Sequence, residues 1–265
     1  MILRPLLPET SQPASSSPEP EPAWAIVSRM QSVEAEQYLL VSQPDHARLS
    51  GDIAAKMRAT FLPKIDESTA KAIGAHDAGW AQFPFERDLQ GDPQRTNTGR
   101  PQHFMQVPLA EAISAWTGSI KAAGEVSPLG EYMVSAHFSR IAHMRMQIEL
   151  DSAEDAAHLK GFIRGEEEYQ AKLQPKIGLP NDALNEYVDL LQFCDVLSLY
   201  LCCGAKDAAE FPQEFEGQRI VVRYDDGVYS TTPSIFGETQ RFHVPVRVYP
   251  SKSGEGKTMV GFHLK

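Results

Sequence analysis

Four acidic and basic side chains stand where their chemistry is hardest to explain as surface decoration. Asp195 sits in LLQFCDVLSLYLCC, flanked by Phe193, Cys194, Val196 and Leu197. A helix that is apolar all round is buried, and a carboxylate there costs several kcal/mol unless a cation or donors meet it. His76-Asp77 closes the segment AIGAHDAGW, with Gly74 and Gly79 leaving room on either side. Neighbouring side chains on a helix diverge by about 100°, yet both can reach one ion placed between them. His46 opens QPDHARLSGDIA, and one turn on come Ser50 and Gly51, small enough to admit a helix or a ligand closely. Neutral imidazole and carboxylate suit divalent first-row ions such as Mn, Fe, Ni or Zn. Each of these residues alone has an ordinary structural explanation. Taken together they form an ordered set on separate helices.

Weaker candidates surround this set. His137 in SAHFSRIAHM lies one turn from Arg140, whose guanidinium fork matches phosphate oxygens or, equally, a neighbouring carboxylate. His103 in RPQHFMQ and His143 are further possible ligands, while His158, His243 and His263 receive no role. Gln192 stands three residues before Asp195 and is placed to bond a ligand carboxylate from behind. Trp80 reads as core. Cys194, Cys202 and Cys203 share one apolar helix without a His/Cys spacing, so they read as inert thiols in a reducing compartment. The acidic run GEEEYQAK reads as a solvated helix face. No P-loop, GxGxxG or GxSxG occurs.

The elements that must position these residues follow from periodicity and punctuation. Residues 1–6 predict a short strand, Pro8 to Pro22 a mobile Pro/Ser/Glu-rich linker, and 23–30 and 36–42 a strand pair. Helices are expected after a cap at Asp45 up to Pro63, from Asp66 to Trp80, after Pro108, over 129–150, over 152–173, and from Asn181 to Gly204. Residues 81–107 read as a long irregular segment and a candidate lid, with Arg95 and Arg100 as possible phosphate contacts. From Gln218 the period becomes two, giving strands over 219–226, 227–236, 241–251 and 258–264, with turns at Asp225-Asp226-Gly227 and Ser253-Gly254-Glu255-Gly256. The expected fold is mainly α, with a small antiparallel β-sheet from the two terminal segments. Its three stretches are 1–43, a helical metal-site domain at 44–206, and 207–265.

Composition narrows the function classes. The chain has 265 residues, 42% of them hydrophobic, enough for a full core. Its formal charge of −10 argues against nucleic acid and anionic membranes as partners and leaves a small-molecule substrate. No run of 18 apolar residues and no secretory leader is evident, so a cytoplasmic location is expected. Nothing in the sequence sets the oligomeric state.

The order His46, His76-Asp77, Asp195 resembles the HD superfamily of metal-dependent phosphohydrolases, which hold their ion through a His, a His-Asp pair and a distal Asp. The phrases QPDHARLSGDIA, HDAGW, SAHFSRIA and LLQFCDVLSLYLC are also similar to an uncharacterised bacterial domain-of-unknown-function family, distantly HD-like, over most of the chain. The resemblance implies an HD-like helical domain whose His46, His76, Asp77 and Asp195 bind a divalent ion (Mn, Fe, Ni, Zn or Mg). It implies His137 as a further ligand or phosphate-facing donor, and Asp77, His137 and Arg140 as the catalytic group. The pattern departs from the superfamily after the pair, where Ala78-Gly79-Trp80 replaces the usual glycine and frequent lysine. The implied activity is hydrolysis of a small phosphorylated molecule. Two other readings follow the same residues: an HD-like dinuclear-iron oxygenase using His103 and His137, and a non-catalytic metal- or ligand-binding module.

Overall fold

The computed structural model describes residues 1–7, 19–147, 152–251 and 257–265, without the side chains of 87 and 88. Of the linker expected over Pro8–Pro22, residues 8–18 lie outside the described residues, as do the end of the helix at 148–150 and the turn at 253–256, while Glu21–Pro22 form a short strand. Eight helices are described: α1 Ala23–Ser32, α2 Gln43–Lys56, α3 Glu67–Gly74, α4 Pro84–Asp88, α5 Leu109–Gly124, α6 Pro128–Gln147, α7 Ala153–Ile177 and α8 Asn181–Cys202. The strands are β1 Ile2–Pro5, β2 Glu21–Pro22, β3 Tyr38–Val41, β4 Ala209–Phe215, β5 Gln218–Asp225, β6 Val228–Thr232, β7 Gln240–Tyr249 and β8 Thr258–Leu264.

The helical majority is as expected, at 52% of the chain, but the sheet is not small and not purely antiparallel. Its eight strands run β1-β3-β7-β8-β6-β5-β4-β2, with β2–β4 and β6–β8 parallel. Two features escaped the sequence pattern. β8 turns back on β7 and inserts beside β6 instead of at an edge, which makes the β6–β8 pairing parallel. β4 alternates buried and open positions, but Pro212 and two glutamates disguise it as connection.

Residues 23–30 are a second correction, because they form α1 and not a strand. Trp, Ile and Val suggested β structure, yet the buried set Ala23, Ile26 and Val27 follows the i, i+3, i+4 rule of a helix. The helix serves the sheet edge. Buried Gln31 accepts from the Leu3 amide (2.9 Å) and donates to the Leu3 carbonyl (2.8 Å), standing in for a ninth strand beside β1. One apolar cluster joins Ile2 and Val41, the faces of α2, α3, α5, α6 and α8, and the strands as far as Leu264.

The helices carry their own stop and start signals. α2 is capped by Ser42, which accepts from the Asp45 amide at 3.1 Å, so Asp45 lies inside the first turn and is not the cap. Asp66 caps α3 by accepting from Thr69 N at 2.8 Å. α3 ends at Gly74, so His76-Asp77 occupies the exit turn before a 3-10 turn at Ala78–Gln82. Two glycines set helix spacing here. A Cβ on Gly51 would lie 2.7 Å from the Ala70 carbonyl and from Gly74 Cα, and one on Gly79 would lie 2.0 Å from the Ala115 carbonyl. Only glycine lets α2 meet α3, and the exit turn meet α5, this closely.

Residues 81–107 are more structured than a free lid. They contain α4, a bridge between Arg95 and Pro101, and a 3-10 turn at Phe104–Gln106. Glu86 pairs with the α-amino group of Met1 and accepts from Gln43 N at 2.7 Å. Arg247 of β7 donates to the carbonyls of Leu89 and Gly91.

Replacing Gln31 by Leu would strand two buried backbone groups of β1 at about 1–3 kcal/mol each. Urea unfolding should therefore show a loss of about 2–6 kcal/mol against wild type. An unchanged midpoint would mean that the edge of β1 needs no cover.

Candidate metal centre

Four helices deliver the predicted residues to one buried place. The first turn of α2 brings His46, the exit of α3 brings His76 and Asp77, the middle of α6 brings His137, and α8 brings Asp195. All five are buried, and Asp195 is the most open, with 12% of its side chain exposed. His46 Nε2 lies 2.9 Å from Asp77 Oδ2, His76 Nε2 lies 3.3 Å from Asp195 Oδ1, and His137 Nε2 lies 3.7 Å from Asp195 Oδ2. The rings of His46 and His76 are 5.1 Å apart and those of His76 and His137 5.6 Å apart, nearly perpendicular in both cases.

The outer nitrogens decide what the inner ones can do. His76 Nδ1 is 2.7 Å from the Ile73 carbonyl. A carbonyl only accepts, so Nδ1 carries the proton and, in the neutral ring, Nε2 presents a lone pair. Ser198 Oγ lies 2.8 Å from the Asp195 carbonyl, 2.7 Å from His46 Nδ1 and 2.8 Å from Ser50 Oγ; in the arrangement where it donates to the carbonyl, it accepts from His46 Nδ1. His46 Nε2 then also presents a lone pair, toward Asp77. Two lone pairs facing two carboxylates repel unless a cation or a proton lies between them.

The titration behaviour says the same. Burial opposes a charge on His76, but its contact with Asp195 and the charge of Asp77 outweigh burial and raise its pKa to about 9. Burial works against the Asp195 carboxylate, yet His76, then His137 and His46, hold its pKa at about 2. Burial dominates at His137 and lowers its pKa to about 4, despite the opposite pull of Asp195.

His46, His76 and Asp195 offer ligand atoms all within 4.8 Å of one another, and this group can hold a metal ion. Buried His76 Nε2 makes no hydrogen bond of good geometry, its nearest polar neighbour being Asp195 Oδ1 at 3.3 Å, which leaves it available to a metal ion. Two nitrogens and a carboxylate oxygen suit a first-row divalent ion. Asp77 stands beside this trio, its Oδ1 accepting from Trp80 Nε1 at 3.0 Å and its Oδ2 from Gln43 Nε2 at 3.1 Å. The Gln43 backbone is fixed in turn by Glu86.

Other expectations end elsewhere. Arg140 is engaged by Asp189 and Gln192 and reaches Asn185 at 3.4 Å, so its fork is tied to the outer side of α8. Gln192 thus serves Arg140 and not a ligand carboxylate. His143 is exposed and faces Glu167 at 3.6 Å, while His103 lies by the Phe104–Gln106 turn and the N-terminus. Arg95 and Arg100 lie over the rings of Tyr249 and Tyr38. Trp80 is core, as expected, but also a donor to the centre. Ser50, Ser198 and Gln43 went unrecognised as partners of the centre, although each stands three or four positions from a ligand on the same helix. A shallow cleft of about 680 Å³ lies on the outer face of α2 and α3 between Arg48, Asp52, Arg58 and Lys71. Its charges are partly paired on the surface, as in Lys71–Glu67 and Arg48–Asp45, and none of the five site residues lines it.

Fold and centre define a mixed helical and sheet protein with a buried His/Asp group able to hold a metal ion. Residues 30–250 match the family described as a protein of unknown function, DUF3891, and the chain belongs to that family. No curated protein and no solved structure matches the chain. Among the described residues no helix is long and apolar enough to cross a membrane.

Metal titration by calorimetry or elemental analysis should show an ion that His46→Ala, His76→Ala and Asp195→Ala each abolish. Ser198→Ala, which releases the outer nitrogen of His46 and the bonds to Ser50 and the Asp195 carbonyl without removing a ligand, should weaken binding roughly 10- to 100-fold. Equal affinities across the series would remove the centre.

A separate prediction concerns His103. Burial, then the charges of Arg100 and the α-amino group, lower its pKa from 6.5 to about 4. Between these values the unfolded chain takes up a proton that the folded chain refuses, so stability falls as pH drops from about 6.5 to about 4 and is level above. Urea unfolding at pH 7.5 and pH 5 should show a smaller acid loss in His103→Asn than in wild type.

Proposed function

We propose that this protein is a metal-dependent phosphohydrolase acting on a small phosphorylated molecule. The carrying observation is the convergence of His46, His76 and Asp195 on one buried place, where His76 Nε2 faces Asp195 Oδ1 at 3.3 Å without a well-formed hydrogen bond. The order of these residues resembles the HD superfamily, and this supports the reaction class by analogy. His46, His76 and Asp195 would hold a divalent ion of the Mn, Fe, Ni, Zn or Mg type, which would supply Lewis acidity toward a phosphoryl oxygen and acidify a water. Asp77, steadied by Trp80 and Gln43, would orient a water and accept its proton on a carboxylate oxygen. His137 has an unpartnered Nδ1 and a strong bias to the neutral form, which suits a hydrogen bond to a substrate oxygen. Arg140 reaches a phosphate only by exchanging Asp189 and Gln192 for it. Burial of the centre supports a small substrate rather than nucleic acid, entering on the partly open side of Asp195.

The test is turnover of a panel of phosphomonoesters, phosphodiesters and nucleotides by metal-loaded protein. Hydrolysis of at least one class, lowered about 100-fold or more in Asp77→Asn with metal content retained, is the expected result. Metal binding without turnover on any of them would leave a binding module instead.

A further inference from the structure

We propose that the buried, unpaired Nε–Nη2 edge of Arg100 is a binding site for an oxyanion presenting two oxygens side by side, as phosphate and carboxylate groups do. The site is independent of the His/Asp centre and of the phosphohydrolase reading.

The Arg100 side chain is nine-tenths buried, with 9% exposed. Its Nε and Nη2 are shielded from solvent and have no hydrogen-bond partner. These two N–H groups form one edge of the guanidinium fork, the edge that accepts a carboxylate or phosphate in bidentate fashion. The carboxylate paired with Arg100 is that of Glu34, which reaches the other edge, Nη1, at only 3.8 Å and is itself 73% exposed. Close by, and within reach of the Arg100 charge, His103 Nδ1 is buried and also without a partner. Burying a cation whose donors face nothing is strongly unfavourable, and buried polar atoms in folded proteins are nearly always paired. An anion on the open edge removes that cost.

The surroundings are built to keep the guanidinium flat and its edge free. Tyr38 and Tyr249 are direct partners in the β3–β7 register. Arg100 lies 5.9 Å over the first ring and Arg95 5.5 Å over the second, so two cations sit side by side on neighbouring aromatic faces. The bridge between Arg95 and Pro101, and the bond from Thr96 N to the Arg100 carbonyl at 2.7 Å, set the backbone of the pair. Arg95 has an acid partner, Asp92, only at 4.0 Å and largely exposed. In a chain of net charge −10, this region is locally positive. Charge-assisted hydrogen bonds shielded from water are the strong kind.

The test titrates full-length protein, metal-loaded and chelator-treated, with inorganic phosphate and with acetate. Binding is read by calorimetry and by the guanidinium Nε–H signal of Arg100 in nitrogen-15 spectra, assigned through its contact with the Tyr38 ring. The expected result is saturable 1:1 binding that survives chelation, moves that signal, and weakens at least about tenfold in Arg100→Gln. Phosphate binding alone marks a phosphoryl-type ligand, and binding of both marks the shared two-oxygen edge. Should Arg100→Gln fail to fold, the wild-type Nε–H signal decides. An Nε–H signal that neither anion moves, or an affinity unchanged in the variant, overturns the site. Binding lost on chelation assigns the anion to the metal centre and overturns it too, without touching the phosphohydrolase reading.

Discussion

Two carboxylates, Asp77 and Asp195, are buried against imidazoles, and the helical half of the molecule is arranged around what that burial costs. Neutral histidines answer them poorly: the Ile73 carbonyl holds the His76 proton on Nδ1, and when Ser198 donates to the Asp195 carbonyl His46 takes the same tautomer. The inner nitrogens are left electron-rich beside electron-rich oxygens. In the metal-free chain the conflict is met by a proton on His76, whose raised pKa expresses the demand. A divalent cation answers the same demand with more charge and more bonds at once, which is why a protein would keep so expensive an arrangement.

The demand reaches outward through packing. His46 and His76 can share a site only if α2 and α3 approach at the Gly51–Gly74 crossing, where a side chain on Gly51 would strike backbone. The exit turn that carries Asp77 is pressed onto α5 at Gly79 in the same way. α8, apolar on nearly every face, can bury Asp195 because α2 and α6 supply histidines and because the sheet covers its far end at Phe193, Phe211 and Phe215. The sheet thus acts as the wall against which the site-bearing helices are pressed.

The sequence displayed the centre better than the scaffold. Asp195 in an apolar helix and His76-Asp77 between glycines break local rules, and such breaks are visible without a structure. Their supporting residues were visible only in retrospect: Gln43, Ser50, Trp80 and Ser198 have no unusual neighbours, and only spacing from a ligand singles them out. Arg140 misled because its fork fits Asp189 as well as it fits phosphate, and sequence order does not say which lies opposite. The sheet failed for a different reason. Strand order is a matter of long-range pairing, so nothing local in TMVGFHL announces that β8 lies between β6 and β7. At α1, β-branched composition outvoted a helical spacing that was present all along.

Among the buried polar atoms without good hydrogen bonds, two groups lie beside charged clusters of opposite sign, while Arg4 Nη1 and Gln213 Oε1 lie apart from both and Gln102 Oε1 is an acceptor near the second. Around Asp77 and Asp195 the orphans are His76 Nε2, His137 Nδ1 and Gln43 Oε1, in a region rich in carboxylate. Around Tyr38 they are two guanidinium N–H groups of Arg100 and a nitrogen of His103, in a region rich in cations. A fold under no functional constraint would lower its energy by letting carboxylates from one region meet the cations of the other. Glu86 shows that the scaffold can do this, since it joins the α-amino group of Met1 on one side and Gln43, the support of Asp77, on the other. That the remaining charges are kept apart, each with an unused edge, is better explained by ligands of opposite sign than by imperfect packing. Because Gln43 and Glu86 span the interval between them, order in residues 81–107 and order at Asp77 depend on one connected set of hydrogen bonds.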